Sequence, residues 1–560
     1  MSKSVRAISV SLLILTLLST LFACGTMSAA AASRELSAAR QVLSDGDSVL
    51  KAGSPQTGAT NDQPFPEGAG GSRNFRIPAF TVLQDGSLFA AADARYATTG
   101  DGGGLDIITA VSNDNGKTWN QNFAIWYPDS EGYAGNQATT AIDSLVVQGK
   151  DGTIFVIADM NPTGVTTMGG FTMPGYGTGY MEIDGIERLA LTDDYAETND
   201  NPDQTAYPYY MGDFSEGYAR VYRTADRTPS DWVLDVWWNL YRITPSGDYQ
   251  PLRQTQVNNP AQTIQQNVFY KDSVLHVYNT GYLMLTVSRD GGRTWHPEVL
   301  NPAIKRDDES ALLVSPGKGT VTKDGTILIP FYNWYTDQTT LTQNASFIWS
   351  KDNGKTWHRT ADTHNANDVN WVSESEIVEL YNGTLRMFVR NETGYLTYID
   401  ATWSERDDNY IWSDPQITSV KITSECKLTA ITHSQTIDGK LAVMIAAPTL
   451  FRRENGMIFT FLVDKDNSMK PAYRYRINRG VFGYSCMDEL PDGSIGILYE
   501  TEPGKMLYRS IALEDVIARR YIDMMMVIIL CPTIGGIVLI AGITLIAIKI
   551  YKKKKRITTL

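Results

Sequence analysis

Two unbroken apolar runs bracket the chain, and between them the pattern is one of short strands and turns. At the start, Lys3 and Arg6 precede an apolar run from Ile8 to Ala23, and small residues from Ser28 to Ala32 follow. Basic, apolar and small segments in that order predict a secretory signal over residues 1–32. Cys24 keeps a second possibility open, acylation as a lipoprotein. Near the other end, Met524 to Ile548 is apolar and uncharged throughout, longer than the roughly 20 residues a bilayer core requires, and Lys549 and the cluster Lys552 to Arg556 come directly after it. This predicts one C-terminal transmembrane helix over 524–548 and a basic cytoplasmic tail over 549–560. A buried core helix of that length would show a polar face, and this run shows none. The placement expected is a single-pass protein of the cell surface, its body extracellular and its cytoplasmic tail short.

Inside these ends an eight-residue pattern recurs: Ser112-Asn113-Asp114-Asn115-Gly116-Lys117-Thr118-Trp119, Ser288-Arg289-Asp290-Gly291-Gly292-Arg293-Thr294-Trp295 and Ser350-Lys351-Asp352-Asn353-Gly354-Lys355-Thr356-Trp357. A β-rich run such as Tyr282 to Val287 precedes each copy. The Asn-Gly or Gly-Gly core suits a turn with positive φ, the Ser and Asp oxygens can accept from turn amides, and the Trp opens a return strand. Degenerate copies lie near Trp403 to Trp412 and near Val463 to Asn467. Trp295, Trp357 and Trp412 are spaced a little more widely than the blades of a four-stranded propeller, so a β-propeller is predicted. The longer gap from Trp119 to Trp295 leaves room for an insertion at about 160–260, rich in Gly, Tyr and Trp: Tyr176, Tyr180, Tyr207, Tyr209, Tyr210, Trp237 and Trp238.

Charge narrows the function classes. The chain carries a net charge of −13, and removing the basic ends leaves the body more acidic still. Nucleic acid is excluded as a partner, because a basic patch supplies most of that affinity. A small anionic ligand would have to be held by a local group of arginines working against the global field. Of the four cysteines, Cys24 and Cys531 fall in the signal and the apolar span. Cys426 and Cys486 are left as one disulfide or two buried thiols, so a core and not a disulfide framework must hold the body together. The five histidines have no zinc spacing, and no metal is expected.

The eight-residue pattern is similar to the Asp-box of sialidases, and further motifs extend the resemblance to the bacterial-type exo-sialidase (neuraminidase) family over about residues 70–510. Phe75-Arg76-Ile77-Pro78 resembles that family's Phe/Tyr-Arg-Ile-Pro. Physically, a planar guanidinium in an otherwise apolar strand can grip a carboxylate through two parallel bonds, though an Arg paired for structure reads the same in isolation. The resemblance implies that Arg76 is the first of three substrate-binding arginines. Arg390 would be the second, sixteen residues after the base Glu374; Glu376 shares a strand face with Glu374 and is the alternative. Arg453, in Arg453-Glu454-Asn455-Gly456, would be the third, with Arg452 one place away. Gly483-Tyr484-Ser485-Cys486 matches the nucleophile strand and implies Tyr484 as nucleophile, and Glu500 in Leu498-Tyr499-Glu500 would orient Arg76. Asp101, in a glycine-rich loop 25 residues after Arg76, would be the acid/base, with Asp106 its rival. Arg95 would reach an outer hydroxyl, and Asp143 would receive the N-acetyl N–H.

The resemblance implies an all-β fold: a six-bladed propeller over 70–515 with the 160–260 insertion as a small β-rich domain, preceded by a linker over 33–69. It also implies a retaining exo-α-sialidase that removes terminal sialic acid from glycoproteins, glycolipids and oligosaccharides through a covalent sialosyl-tyrosine, without a cofactor. The partners expected are sialylated glycans, and a membrane through the C-terminal helix; the ectodomain is expected to be monomeric. A phenol suits this chemistry because the anomeric carbon of sialic acid bears a carboxylate that an anionic nucleophile would repel; sialidases use tyrosine for this role. With a normal pKa near 10, the phenol needs an adjacent base. Two rival readings use the same motifs: a trans-sialidase, intermolecular or intramolecular, and a non-catalytic Asp-box propeller that binds glycans.

Overall fold

The computed structural model describes residues 63–131, 137–167, 171–200, 204–336 and 341–522. The chain is all-β, as predicted, and its sheets stand in a propeller-like arrangement. Four blade-like sheets are separate. They comprise the strands within Ala311–Arg359, Val372–Lys421, Thr429–Val481 and Ser485–Ile511. The expected count of six separate blades is corrected at the N-terminal end, where a nine-stranded sheet is continuous. It contains two antiparallel meanders, one from Asn74 to Ile125 and one formed by Thr140–Gln148, Ile154–Asn161, Tyr282–Ser288 and His296–Val299. A parallel pairing of Leu105 with Thr140 joins them. No turn chemistry marks such a link, since it forms between backbone groups of strands that periodicity treats as independent.

The hairpins predicted from the three boxes are present, and their chemistry is uniform. In the last copy, the Ser350 hydroxyl accepts from Gly354 N and donates to Asp352, while Asp352 accepts from Thr356 N (2.9 Å) and the Thr356 hydroxyl (2.7 Å). The turn therefore satisfies its own amides before the return strand begins. Trp119, Trp295 and Trp357 are buried and pack edge-on against Tyr508, Phe89 and Phe155 of adjoining strands. The glycine is required at two of these turns. Gly116 and Gly354 have φ of 84° and 82°, and an added Cβ would lie 2.4 Å from Tyr508 and 2.5 Å from Phe155. Each box thus pins the corner of one meander onto a ring from another.

The first and last sheets pack into one core, in which Phe75, Phe80, Leu88 and Trp119 meet Leu490, Leu498 and Tyr508. Asp488 reinforces the seam, accepting from the Thr81 hydroxyl (2.9 Å) and Val82 N (3.0 Å). Between Ile154–Asn161 and Tyr282–Ser288 the chain builds an eight-stranded sheet from Tyr180 to Val277. Its Trp237, Trp238 and Phe269 join Met160 and Tyr282 in one continuous hydrophobic cluster. Cys426 and Cys486 are both free and buried.

The signal over 1–32 and the apolar run Met524 to Ile548 lie outside the described residues. The single-pass, cell-surface placement is corrected by the structure: among the described residues no helix is long and apolar enough to cross a membrane.

The box geometry carries a stability prediction. Asp352→Ala removes four acceptor contacts from one turn and should lower the urea midpoint by an amount equivalent to about 1–2 kcal/mol. Slight burial raises the Asp352 pKa, but the Thr356 and Ser350 donors outweigh it and hold the carboxyl down at about 2. A depressed acid stabilises the fold above its unfolded value, near about 4. The gap between wild type and variant should therefore be full at neutral pH and close as pH falls from there toward 2; a gap independent of pH would count against the carboxylate's role.

Candidate functional site

Three local backbone irregularities aim side chains into one cleft. In Asn74–Val82 the pairing shifts register between Arg76 and Ala79, and Ile77 holds φ 58°, a costly conformation for a β-branched residue. The Ile77 amide is held there by Glu500 Oε1 (3.0 Å), which also accepts from Arg76 Nε (3.2 Å). A second bulge, between Ile142 and Leu145, sets Asp143 at φ 62°. In the third, a tight turn with Arg453 at φ 55° places that guanidinium beside the cleft.

The cleft has a volume of about 300 Å³, and Arg76, Asp101, Asp143, Glu374, Arg390, Arg453 and Tyr484 all line it. At its centre the Tyr484 hydroxyl donates to Glu374 Oε1 (2.6 Å). Arg390 Nη1 donates to Glu374 Oε2 (2.8 Å) and to the Tyr484 oxygen (3.1 Å), while its Nε is held by Ser424 O (3.0 Å). The guanidinium carbons of Arg453 and Arg76 lie 5.1 Å and 5.9 Å from the centre of the Tyr484 ring. Burial, with Glu374 adding and Arg390 opposing, pushes the phenol well above its ordinary pKa. Tyr484 is thus held as a neutral phenol whose proton is donated to a carboxylate.

Asp101 receives Arg76 Nη1 (2.9 Å) and a short contact from Arg95 Nη1. Burial raises its pKa, but Arg95 and Arg76 outweigh that and hold it below the usual carboxylate range. Arg76 is itself moved up: burial opposes its charge, and Glu500 and Asp101 more than compensate.

The alternatives differ in position. Glu376 faces the same way as Glu374 but one step deeper, where it makes a short ion pair with buried Lys427. Asp106 is buried away from the cleft, accepting from the Tyr96 hydroxyl (2.8 Å) and Tyr127 N (2.9 Å). Arg452 points toward Phe451 at the surface. Arg95 does not reach the cleft. It is buried against Asp93 (2.6 Å) and the carbonyls of Thr99 (2.8 Å) and Gly100 (2.9 Å), where it ties down the loop that carries Asp101. Glu500 lies behind Arg76. Residues that sequence reasoning missed also line the cleft, among them Asp159, Asn161, Tyr332, Trp334 and Trp371. They belong to no motif, and only the convergence of strands brings them together.

Residues 257–454 match the BNR repeat-like domain. The chain is 29% identical over 468 residues to the anhydrosialidase of Macrobdella decora, covering 77% of this chain and 58% of that protein. It is also 29% identical over 456 residues to sialidase B of Streptococcus pneumoniae serotype 4, covering 76% and 61%. The chain therefore spans about three fifths of the length of these curated relatives. Among solved structures, the intramolecular trans-sialidase from Ruminococcus gnavus in complex with oseltamivir carboxylate superposes with a TM-score of 0.69 at 26% identity, covering 82% of this chain and 99% of that one. These likenesses bear out the resemblance to bacterial-type sialidases.

A test of the site comes from its geometry. Arg390→Lys keeps the charge but cannot hold Glu374, Tyr484 and an incoming anion at once. Affinity for a carboxylate ligand should fall by at least ~2 kcal/mol, about thirtyfold; unchanged affinity by titration calorimetry would remove Arg390 from the site.

Proposed function

We propose that this relative of the bacterial-type sialidases is a retaining exo-α-sialidase acting through a covalent sialosyl-tyrosine. One observation carries the reading: the Tyr484 hydroxyl sits 2.6 Å from Glu374, within reach of Arg390, in a cleft that Arg76 and Arg453 also line. A nucleophile paired with its base beside three cations suits a substrate that brings its own carboxylate to the reacting carbon.

In the proposed cycle, Arg76, Arg390 and Arg453 hold the substrate carboxylate, and Glu500 keeps Arg76 in plane. Asp101 donates a proton to the departing glycosidic oxygen as Tyr484 Oη bonds to the anomeric carbon and its proton passes to Glu374. Water then enters on the side the aglycone left, gives its proton to Asp101, and displaces the tyrosine, which recovers its proton from Glu374. Two inversions leave the configuration retained, and every proton is returned. The substrates proposed are sialylated glycans, and the acting unit a monomer.

A second reading has its own support, since two of the relatives are an anhydrosialidase and an intramolecular trans-sialidase. The same intermediate serves both: attack by one of the sugar's own hydroxyls in place of water releases an anhydro sugar. Proton magnetic resonance of the product from sialyllactose separates them. Free sialic acid selects hydrolysis, and an anhydro product selects the intramolecular path.

Tyr484→Phe keeps the ring and deletes one oxygen, so the fold should persist while turnover falls by several orders of magnitude, a scale typical of losing a triad-type nucleophile. A fluorinated sialosyl donor should label wild-type Tyr484 covalently; label on Glu374 or Asp101 would overturn the mechanism, and full turnover by the variant would remove Tyr484 from the chemistry altogether. The acid group adds a pH prediction. Arg95 and Arg76 hold Asp101 low in the free protein, and a bound carboxylate that engages Arg76 brings negative charge beside it, raising its pKa. The descending limb of kcat, which reports the complex, should therefore lie at higher pH than that of kcat/KM, which reports the free enzyme. Coincident limbs would mean that Asp101 does not sense the substrate.

A further inference from the structure

The acid Asp101 is carried by a backbone with little stiffness of its own. Gly100, Gly102, Gly103 and Gly104 surround it, and glycine has more conformations to lose than any other residue. The two ion pairs do not cure that. Asp101 receives Arg76 and Arg95 as an anion, but when it serves as the acid it is a neutral carboxyl, and the attraction that placed it is then weakest. Aiming its proton at the leaving oxygen requires a backbone fixed by contacts indifferent to charge, since an error of about 1 Å can cost roughly a hundredfold in rate.

The structure supplies such contacts on both sides of the loop. Toward its C-terminal end, a Cβ on Gly104 would run into Ser130 O, and Gly103, at φ 96°, offers its carbonyl to the Thr140 hydroxyl (2.8 Å). Next to Asp101 itself the neighbour is Phe171. A Cβ on Gly102 would meet Phe171 Cζ at 2.5 Å and Cε2 at 2.7 Å, so the far edge of the ring rests against the backbone one residue beyond the acid. Gly102 does not hold a positive φ, so the ring, and not the backbone conformation, excludes a side chain there. Phe171 is half-buried and stands in the stretch between Ile154–Asn161 and the eight-stranded sheet. That stretch closes on itself, with Thr172 N donating to Gly164 O (3.0 Å) and Thr166 N to Thr172 O (3.0 Å), and its Thr166 and Thr167 line the cleft. The ring contact is apolar, and neither a proton on Asp101 nor a carboxylate on Arg76 alters it.

We propose that Phe171 is a positioning residue for Asp101, its ring holding the Gly102 backbone so that the carboxyl keeps its aim when it is neutral. The inference rests on the sialidase reading for the role of Asp101, and it gives the stretch before the inserted sheet a part in the reaction. Phe171 makes and breaks no bond; it decides how well the Asp101 proton reaches the departing oxygen. Its effect is therefore selective. A sugar aglycone leaves as an alkoxide unless it is protonated in step with cleavage, whereas 4-nitrophenolate leaves without a proton. Loss of aim slows the first far more than the second.

The test compares kcat/KM of the full-length protein on sialyllactose and on the 4-nitrophenyl sialoside. The two share one sugar, so a smaller folded fraction or weaker sugar binding cancels in their ratio. Phe171→Ala should raise the aryl-over-lactose ratio by about tenfold or more; an unchanged ratio overturns the proposal. Gly102→Ala, which pushes a methyl into the ring, should raise it as well, and adding Phe171→Leu, which withdraws the ring edge, should bring it back toward wild type. A double variant with a ratio as high as that of Gly102→Ala overturns the contact, and this pair decides if Phe171→Ala does not fold. A wild type that cleaves neither substrate sinks the sialidase reading, and hydrogen exchange along residues 98–104 then decides the contact. Faster exchange in Phe171→Ala keeps the ring as the anchor of the loop, and unchanged exchange removes it.

Discussion

A single carboxylate joins the closure of the fold to the readiness of the site. Glu500 accepts from Arg76 Nε (3.2 Å), from Ile77 N (3.0 Å) and from Tyr484 N (3.3 Å). Two of these donors belong to the first strand of the body and the third to the start of the last sheet. The same contacts that bring the two ends of the body together set the guanidinium and the tyrosine backbone that face the cleft. Because the group is 6% exposed, an unpaired neighbour there would be costly, so the bulge at Ile77, the orientation of Arg76 and the entry to the Tyr484 strand depend on one another.

Around that anchor, charge is arranged in layers along the inner strands. At the mouth, Glu374 takes Arg390 and the Tyr484 proton. One step deeper, Glu376 and Lys427 neutralise each other, and Lys318 pairs with Asp488 (2.6 Å). The deeper pairs are neutralised within the protein, with Glu376 Oε1 left buried without a hydrogen-bond partner among the described residues; the upper layer is left open toward the cleft. Arg453 pairs with no carboxylate among the described residues, which leaves it available to an anion in a protein whose overall charge is strongly negative.

The side chains of the cleft are aimed by departures from regular β-structure. Ile77, Asp143 and Arg453 all hold positive φ, and each lies within or beside a position lining the cleft. Such residues persist only where their surroundings over-determine them. Here those surroundings are named contacts: Glu500 on the Ile77 amide, Asp93 Oδ1 on the Asp143 amide (3.0 Å), and the Phe482 amide donating to Arg453 O (2.7 Å).

The sequence alone determined the elements whose causes are local. The three box turns arise from Ser, Asp, Gly and Trp at set offsets, and the β-class from the strands they terminate. The order of Arg76, Asp101, Glu374, Arg390, Arg453 and Tyr484 was also legible, because each sits in a short motif. Tertiary structure decided what depends on depth and convergence. A period of two puts Glu374 and Glu376 on one face but does not say which stands at the mouth and which meets Lys427. Spacing from Arg76 favoured Asp101 with Asp106 as its rival; in the structure Asp106 is buried against Tyr96, and arginine contacts hold Asp101 at the cleft. Arg95 reads as a substrate contact in sequence, yet its strand carries it beneath the Asp101 loop. The joining of the first two meanders into one sheet rests on a backbone pairing to which no side chain contributes. Asp159 has no motif, and only the convergence of strands distant in sequence brings its carboxyl to the cleft, where burial, with Asp93 adding, raises its pKa.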